Sequence, residues 1–163
     1  MPFTTILFYK YIDLENPDQI RAEQINLCQK YLSSEELDDW TQNKDKEFYI
    51  VDMRNNYEYS LGHFKNSILP KILPELEHLK NKTIVTACTG GIRCEKASEF
   101  LLKNNFADVY QLKDGTHTYM EKYPNRDLLG ELFVFDNRVA IGFNLDSSDH
   151  KIVCANCVIA ILI

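Results

Sequence analysis

The chain has 163 residues, of which 45% are hydrophobic and 26% charged, and its formal net charge at pH 7 is −6. These proportions are those of a globular domain and exclude a disordered, collagenous or coiled-coil protein. An acidic chain binds nucleic acid only through a local basic patch. The five cysteines and the lack of a secretion signal predict a cytoplasmic protein with reduced thiols. The apolar run from Val158 to Ile163 is too short to span a membrane, so no membrane partner is expected.

The first predicted elements form an N-terminal segment, residues 1–30. β-branched and aromatic residues at 4–12 predict a strand, and Asn16-Pro17 predicts the start of a helix over residues 17–30. A single strand and helix cannot bury both their apolar faces. We therefore expect this segment to join the main sheet, to pair with another chain, or to be the remnant of a ferredoxin-like unit.

Strands and helices alternate over residues 31–125. Ser33 and Glu36 have the spacing of a capping box and predict a helix start. Short apolar strands are predicted at 48–52, 83–88 and 109–112, with helices between them at about 74–80 and 93–104. This alternation indicates an α/β domain with a central parallel sheet flanked by helices. The remaining residues, 126–163, form a C-terminal extension with a predicted hairpin around Asp136-Asn137.

The run A-C-T-G-G-I-R-C-E-K-A-S, residues 87–98, carries the pattern of a reactive site. Cys88 ends a buried strand, two glycines allow a tight turn, and a helix begins near Arg93. Ligands of α/β sheets bind beyond the carboxyl ends of the strands. Inward-pointing amides and the helix N-terminus both favour an anion there. The pattern therefore predicts a nucleophilic thiolate at Cys88.

The length of this loop indicates which chemistry it serves. From Cys88 to Arg93 it reads C-x4-R, one residue shorter than the C-x5-R loop with which cysteine phosphatases surround a phosphoryl group. A smaller ring suits a smaller group, such as a sulfur carried on Cys88 as a persulfide. Phosphatase activity is therefore not expected.

Two motifs resemble known families. The run D-M-R-N-N-Y-E-Y-S-L-G-H-F-K-N-S, residues 52–67, resembles the rhodanese signature D-x-R-x-x-x-E-[YF]-x-x-G-H-[IF]-x-x-[AS]. The run C-T-G-G-I-R-C-E-K-A-S, residues 88–98, is similar to that of the rhodanese-domain tRNA uridine hydroxylases. The similarity covers residues 31–157, and residues 4–29 match that family's opening strand and helix.

The resemblance implies a rhodanese-like fold and roles for particular residues. Cys88 matches the active-site cysteine, and the anion-binding loop is formed by Thr89, Gly90, Gly91, Ile92 and Arg93. Asp52 and Arg54 match a pair that braces this loop, whereas Glu58 and His63 are expected to be mainly structural. The implied activity is oxygen-dependent formation of 5-hydroxyuridine at the wobble position, with tRNA as partner and molecular oxygen as co-substrate. No other cofactor is evident.

Three departures from the family pattern bear on this expectation. Most of the family's N-terminal domain has no counterpart here. After the last sheet strand the family usually reads G-G-I, whereas this chain has Asp114-Gly115-Thr116. Cys154 and Cys157 have zinc-ligand spacing, but a structural site needs four ligands, and only His150 offers a third. The sequence therefore predicts no tight zinc site.

Other residues have two interpretations each. Cys94 is either a core residue on the apolar face of its helix or a resolving thiol that closes a disulfide with oxidised Cys88. Cys28 is expected in a core. His117 is either an acid or base facing Cys88 or a surface residue. Five basic residues either form a patch that faces tRNA or are scattered charges on the surface. They are Lys65, Lys96, Lys113, Lys122 and Arg126.

Three functions remain open at this point. The first is a rhodanese-domain enzyme of the tRNA uridine hydroxylase family, with Cys88 as the reactive thiolate. The second is a sulfurtransferase that takes sulfur from a small donor through a Cys88 persulfide. The third is a non-catalytic or redox-sensing rhodanese module that binds partners.

Overall fold

The computed structural model describes residues 30–44, 46–71, 73–134 and 140–142, together with the backbone of residues 152–153 and 160–161. The predicted N-terminal strand and helix therefore lie outside the described residues. The same holds for four residues considered above, namely Cys28, His150, Cys154 and Cys157.

Ten strands, four α-helices and one 3₁₀ helix are described. In chain order they are β1 (Tyr31–Leu32), α1 (Ser34–Asn43), β2 (Phe48–Asp52), α2 (Asn56–Leu61), β3 (Gly62–Phe64), the 3₁₀ helix (Leu73–Leu79), β4 (Thr83–Ala87), α3 (Ile92–Lys103), β5 (Asp108–Leu112), α4 (Gly115–Lys122), β6 (Leu128–Gly130), β7 (Leu132–Phe133), β8 (Ala140–Ile141), β9 (Ile152–Val153) and β10 (Ala160–Ile161).

The main sheet is parallel, with the strand order β1-β5-β4-β2. β2 and β4 pair in register from Phe48 opposite Thr83 to Asp52 opposite Ala87. The strands predicted at 48–52, 83–88 and 109–112 and the α/β class are confirmed. The strands are parallel because each helical crossover carries the chain back to the end of the sheet at which the previous strand began.

The two faces of this sheet bury separate clusters of apolar side chains. One cluster includes Ile50 and Val85 and receives Leu37 from α1 and Met120 from α4. The other includes their chain neighbours Val51 and Ile84, together with Leu76 of the 3₁₀ helix and Leu101 of α3. Adjacent residues of a strand point to opposite faces. Two-sided burial therefore explains why these strands are almost wholly apolar.

The predicted capping box starts α1. The Ser33 hydroxyl accepts a hydrogen bond from the amide of Glu36 at 3.2 Å, and the Glu36 carboxylate accepts one from the amide of Ser33 at 2.8 Å. The reciprocal bonds satisfy two amides that the first helical turn leaves without partners.

The helix expected at about 74–80 is a 3₁₀ helix over Leu73–Leu79. Its leucines recur every third residue, and Leu76 and Leu79 are fully buried. A repeat of three matches the three residues per turn of a 3₁₀ helix, so this tighter form places the leucines on one face. Two helices, α2 and α4, were not predicted, because their short sequences lack a clear apolar period.

Packing continues beyond residue 125, the predicted end of the domain. β6 pairs antiparallel with β3, and β7 pairs with β8 as the predicted hairpin requires. Leu128, Leu132 and Ile141 belong to the first apolar cluster. In the described part of the chain, every helix is too short or too polar to cross a membrane.

Candidate active site

Cys88 lies at the carboxyl end of β4, in the turn that leads to α3. The turn ends at Gly91, whose φ of 86° lies in the left-handed region, and α3 begins at Ile92. Glycine adopts this conformation without the cost that a side chain would bring. Cys88 is 1% exposed and Ile92 is 76% exposed. The Cys88 side chain is therefore covered, whereas the apolar side chain of Ile92 is exposed at the start of α3.

Hydrogen bonds around the Cys88 sulfur favour its thiolate. The thiol of Cys94 donates to it and is the largest cause of a pKa lowered to about 6, against the opposing effect of burial. The backbone amides of Cys94 and Arg93 and the charge of Arg93 also lower the pKa of Cys88. Burial and the neighbouring Cys88 raise the pKa of Cys94 well above its usual range. The two shifts are opposite in direction and favour ionisation of Cys88 over that of Cys94.

Arg93 is held by a buried carboxylate. Its two terminal nitrogens each donate to an oxygen of Glu58 at 2.7 Å. The Glu58 side chain is fully buried and also accepts from the Thr89 hydroxyl at 3.3 Å. Burial opposes ionisation of Glu58, but its bonds with Arg93 keep the pKa of the carboxyl below its usual value. Glu58 thus holds both ends of the loop.

Asp52 and Arg54 form an ion pair whose side chains are fully buried, with Arg54 Nη2 2.7 Å from Asp52 Oδ2. The same nitrogen donates to the carbonyl of Gly62 at 2.7 Å. The pair therefore ties the end of β2 to β3. The direct bonds to the loop come from Glu58 of α2, which lies between β2 and β3 in sequence. The charge of Arg54 contributes to the low pKa of that carboxyl.

Helix α4 closes the other side of the loop. Its amides at Thr116 and His117 donate to the carbonyls of Cys88 and Thr89, at 2.9 and 3.1 Å. A Cβ on Gly115 would lie 2.4 Å from the Thr89 carbonyl oxygen, so this close approach requires glycine. Sequence reasoning assigned no role to Gly115. The signal was the Asp-Gly-Thr run directly after a sheet strand.

The departure from G-G-I at this point has a structural basis. Asp114 has a φ of 60° and Gly115 a φ of 73°. Aspartate is among the side chains that tolerate the left-handed region. Asp114 therefore keeps the turn that a glycine would otherwise make.

The remaining candidates make other contacts. The His63 ring stacks on Tyr59, with its Nδ1 2.8 Å from that residue's carbonyl oxygen, which is a structural contact. His117 meets the loop through its backbone, so a role for its side chain as acid or base stays a prediction. Lys122 pairs with Glu35. Arg126 pairs with Asp38.

The described residues contain no group of three or more His, Cys, Asp or Glu side chains able to hold a metal ion. Cys154 and Cys157 are not among them, so the expectation about zinc stays a prediction.

Curated relatives are similar to this chain over most of its length. A tRNA uridine(34) hydroxylase of Aster yellows witches'-broom phytoplasma is 45% identical over 122 residues, 68% of this chain and 39% of that protein. A protein of the same name from Legionella pneumophila is 44% identical over 128 residues, 71% of this chain and 50% of the relative. The expected resemblance is confirmed. The chain spans only two-fifths to half of the length of these relatives.

Fold comparison and a family model agree with the geometry. The solution structure of a rhodanese-like domain from Anabaena gives a TM-score of 0.54 at 20% identity, covering 61% of this chain and 78% of that domain. At this identity the likeness concerns the fold alone. The family model described as rhodanese-like domain matches residues 33–122, more than half of the 163 residues. The chain therefore belongs to the rhodanese-like domain family.

Proposed function

We propose that this chain carries the catalytic rhodanese unit of a tRNA uridine hydroxylase, with Cys88 as its reactive thiolate. The single observation that carries the proposal is the position of Cys88, just after the carboxyl end of β4 and in the loop that Glu58 binds at Thr89 and Arg93. It is supported by the relatives that bear this name at 44–45% identity. The proposed partner is tRNA, and the proposed location is the cytoplasm.

The chemistry of uridine gives this thiolate a role. C6 of a uracil ring is electron-poor because its double bond is conjugated with the C4 carbonyl. The Cys88 thiolate can form a bond to C6 while the π electron pair moves through C5 onto the carbonyl oxygen. C5 then becomes the nucleophilic carbon of an enolate, so a covalent adduct prepares the position to be hydroxylated.

The proposed hydroxylation replaces C5–H by C5–OH with one oxygen atom of O2. The second oxygen atom takes up two protons and two electrons and leaves as water. The reaction therefore needs an external two-electron donor, such as a dithiol, besides the base itself. Release of Cys88 by elimination from C6 restores the thiolate.

The alternative function is sulfur transfer. In this reaction the Cys88 thiolate attacks the outer sulfur of thiosulfate, sulfite leaves, and the resulting persulfide passes its sulfur to a nucleophile such as cyanide. The commitment of Arg93 to Glu58 favours this alternative over phosphatase activity, because the guanidinium nitrogens that grip a phosphoryl group are here bonded to a buried carboxylate. The loop then presents amides to a small anion.

Two assays on wild type and Cys88→Ala distinguish the functions. The first is mass spectrometry of tRNA for 5-hydroxyuridine in cells that lack the full-length enzyme, and the second is sulfur transfer from thiosulfate to cyanide. Hydroxyuridine that depends on Cys88 supports the hydroxylase. Sulfur transfer without modified tRNA contradicts it in favour of the alternative, and inactivity in both assays favours a binding module.

A further inference from the structure

A second site lies away from Cys88, at the edge of the sheet where β2 begins. Here a cavity of about 600 Å³ is lined by Trp40 and by three lysines, Lys44, Lys46 and Lys65. We call it the lysine pocket. Lys44 and Lys46 lie between α1 and β2, and Lys65 follows β3, so two separate segments bring the three lysines to one pocket. A chain with a net charge of −6 concentrates positive charge here.

The carboxylates in the wall of this pocket are already bonded. Glu47 pairs with Lys82 at 2.8 Å. Asp127 accepts hydrogen bonds from the hydroxyls of Thr41 and Tyr119 at 3.1 and 3.0 Å. By contrast, none of the three pocket lysines forms an ion pair with another described residue. The pocket therefore presents cations whose charge is available to an anionic ligand.

Aromatic rings fix the position of one of these cations. The Lys46 ammonium lies 3.9 Å from the centre of the Trp40 ring and 4.7 Å from that of Tyr110. Trp40 is held from the side by Phe48 and Tyr110, with ring centres 5.5 and 5.2 Å away. Cation–π contact and close ring packing give this wall a defined shape. Charge beside an aromatic wall is what strands of nucleic acid bind.

We propose that the lysine pocket binds backbone phosphates of an RNA strand. This rests on the proposed function and names a surface by which the tRNA is held. Phe48 and Thr83 are register partners, and Cys88 is five residues after Thr83. At about 3.3 Å per strand residue, the pocket lies about 16 Å from Cys88 along the strand direction. At a rise of about 3.4 Å per nucleotide, a strand crosses this span in about five nucleotides.

The test measures binding of a labelled oligouridylate of about ten nucleotides by fluorescence anisotropy, as a function of salt. The Lys44→Gln/Lys65→Gln variant is compared with Lys71→Gln, which removes a charge from an exposed residue outside the pocket lining. For two lost phosphate contacts we expect affinity roughly tenfold weaker at low salt, and a salt slope smaller by about 1.4. Lys71→Gln is expected to bind like wild type. Equal affinity and slope in the double variant and wild type overturn the proposal.

A second readout locates the ligand, because Trp40 is the only tryptophan of the chain. RNA bound in the pocket is expected to quench its fluorescence at the concentrations that change the anisotropy. Uridine monophosphate that quenches as tightly as the oligonucleotide would identify a free-nucleotide site and overturn the RNA assignment.

Different variants test catalysis and RNA binding, so that one can fail without the other. Cys88→Ala is expected to bind the oligonucleotide like wild type while losing tRNA modification. Modification that depends on Cys88, together with unaltered RNA binding in the double lysine variant, would refute the pocket and leave the proposed function standing.

Discussion

The thiol of Cys94 is the largest contributor to the low pKa of Cys88 and can be removed without touching the nucleophile. Cys94→Ala deletes the S–H donor, whereas Cys94→Ser replaces it with a hydroxyl donor in a similar volume. If the hydrogen bond governs ionisation, only the alanine variant should lose thiolate at neutral pH. Cys94 is fully buried, so both variants should first be shown to unfold cooperatively.

The magnitude follows from the pKa of about 6 in the wild type. A depressed cysteine pKa means that the reactive thiolate is present above that pH and is lost as the pH falls through it. The thiolate fraction is about 10% at pH 5 and about 90% at pH 7, so the reaction rate should rise about tenfold between them. In Cys94→Ala the midpoint moves upward, towards the ordinary thiol value of about 8.5, at which only about 3% is ionised at pH 7.

The assay is the rate of alkylation by iodoacetamide from pH 4.5 to 9, resolved by peptide mass spectrometry because the chain has five cysteines. Each profile is normalised to its own plateau, so that slow access to the buried sulfur cancels. We expect midpoints near 6 for wild type and Cys94→Ser and a higher midpoint for Cys94→Ala. An unshifted alanine variant, or a serine variant shifted as far as alanine, would refute the hydrogen-bond explanation.

Three further perturbations test the loop. Glu58→Gln breaks the ion pair with Arg93, in which the carboxylate is fully buried and the arginine is partly exposed. Urea titration should show a free energy of unfolding lower by about 2–3 kcal/mol. Gly115→Ala should destabilise by at least about 1–3 kcal/mol because φ is +73° and the Cβ meets loop carbonyls, whereas Gly90→Ala, with nothing within 4 Å of its Cβ, should change stability by under about 0.5 kcal/mol. Mild peroxide should link Cys88 to Cys94, with loss of two hydrogens by mass spectrometry; failure to link them would contradict a resolving role.

Local sequence patterns were sufficient to predict those helices and strands whose formation depends on neighbouring residues. The capping box at Ser33 and Glu36 predicted the start of α1, and unbroken apolar runs predicted β2 and β4. Their two-sided burial is what makes such runs apolar. The 3₁₀ form of residues 73–79 was missed, although the spacing of its leucines is a three-residue repeat.

The candidate site likewise has one part that the sequence predicted and one part that it did not. Cys88 followed by two glycines and an arginine is a contiguous pattern, and its anion-binding character comes from adjacent amides and a helix start. The partner of Arg93 is Glu58, 35 residues earlier. No rule of spacing connects them, because the contact depends on how α2 packs against the loop.

The sequence by itself determined the fold class and predicted Cys88 as the nucleophile and the loop beside it, since each signal lies in neighbouring residues. Only the tertiary structure decided that Glu58 holds Arg93, that Gly115 closes the loop and that Lys65 joins the pocket beside Trp40. These contacts join residues distant in the chain. They arise from the packing of whole elements, whose relative positions no local pattern specifies.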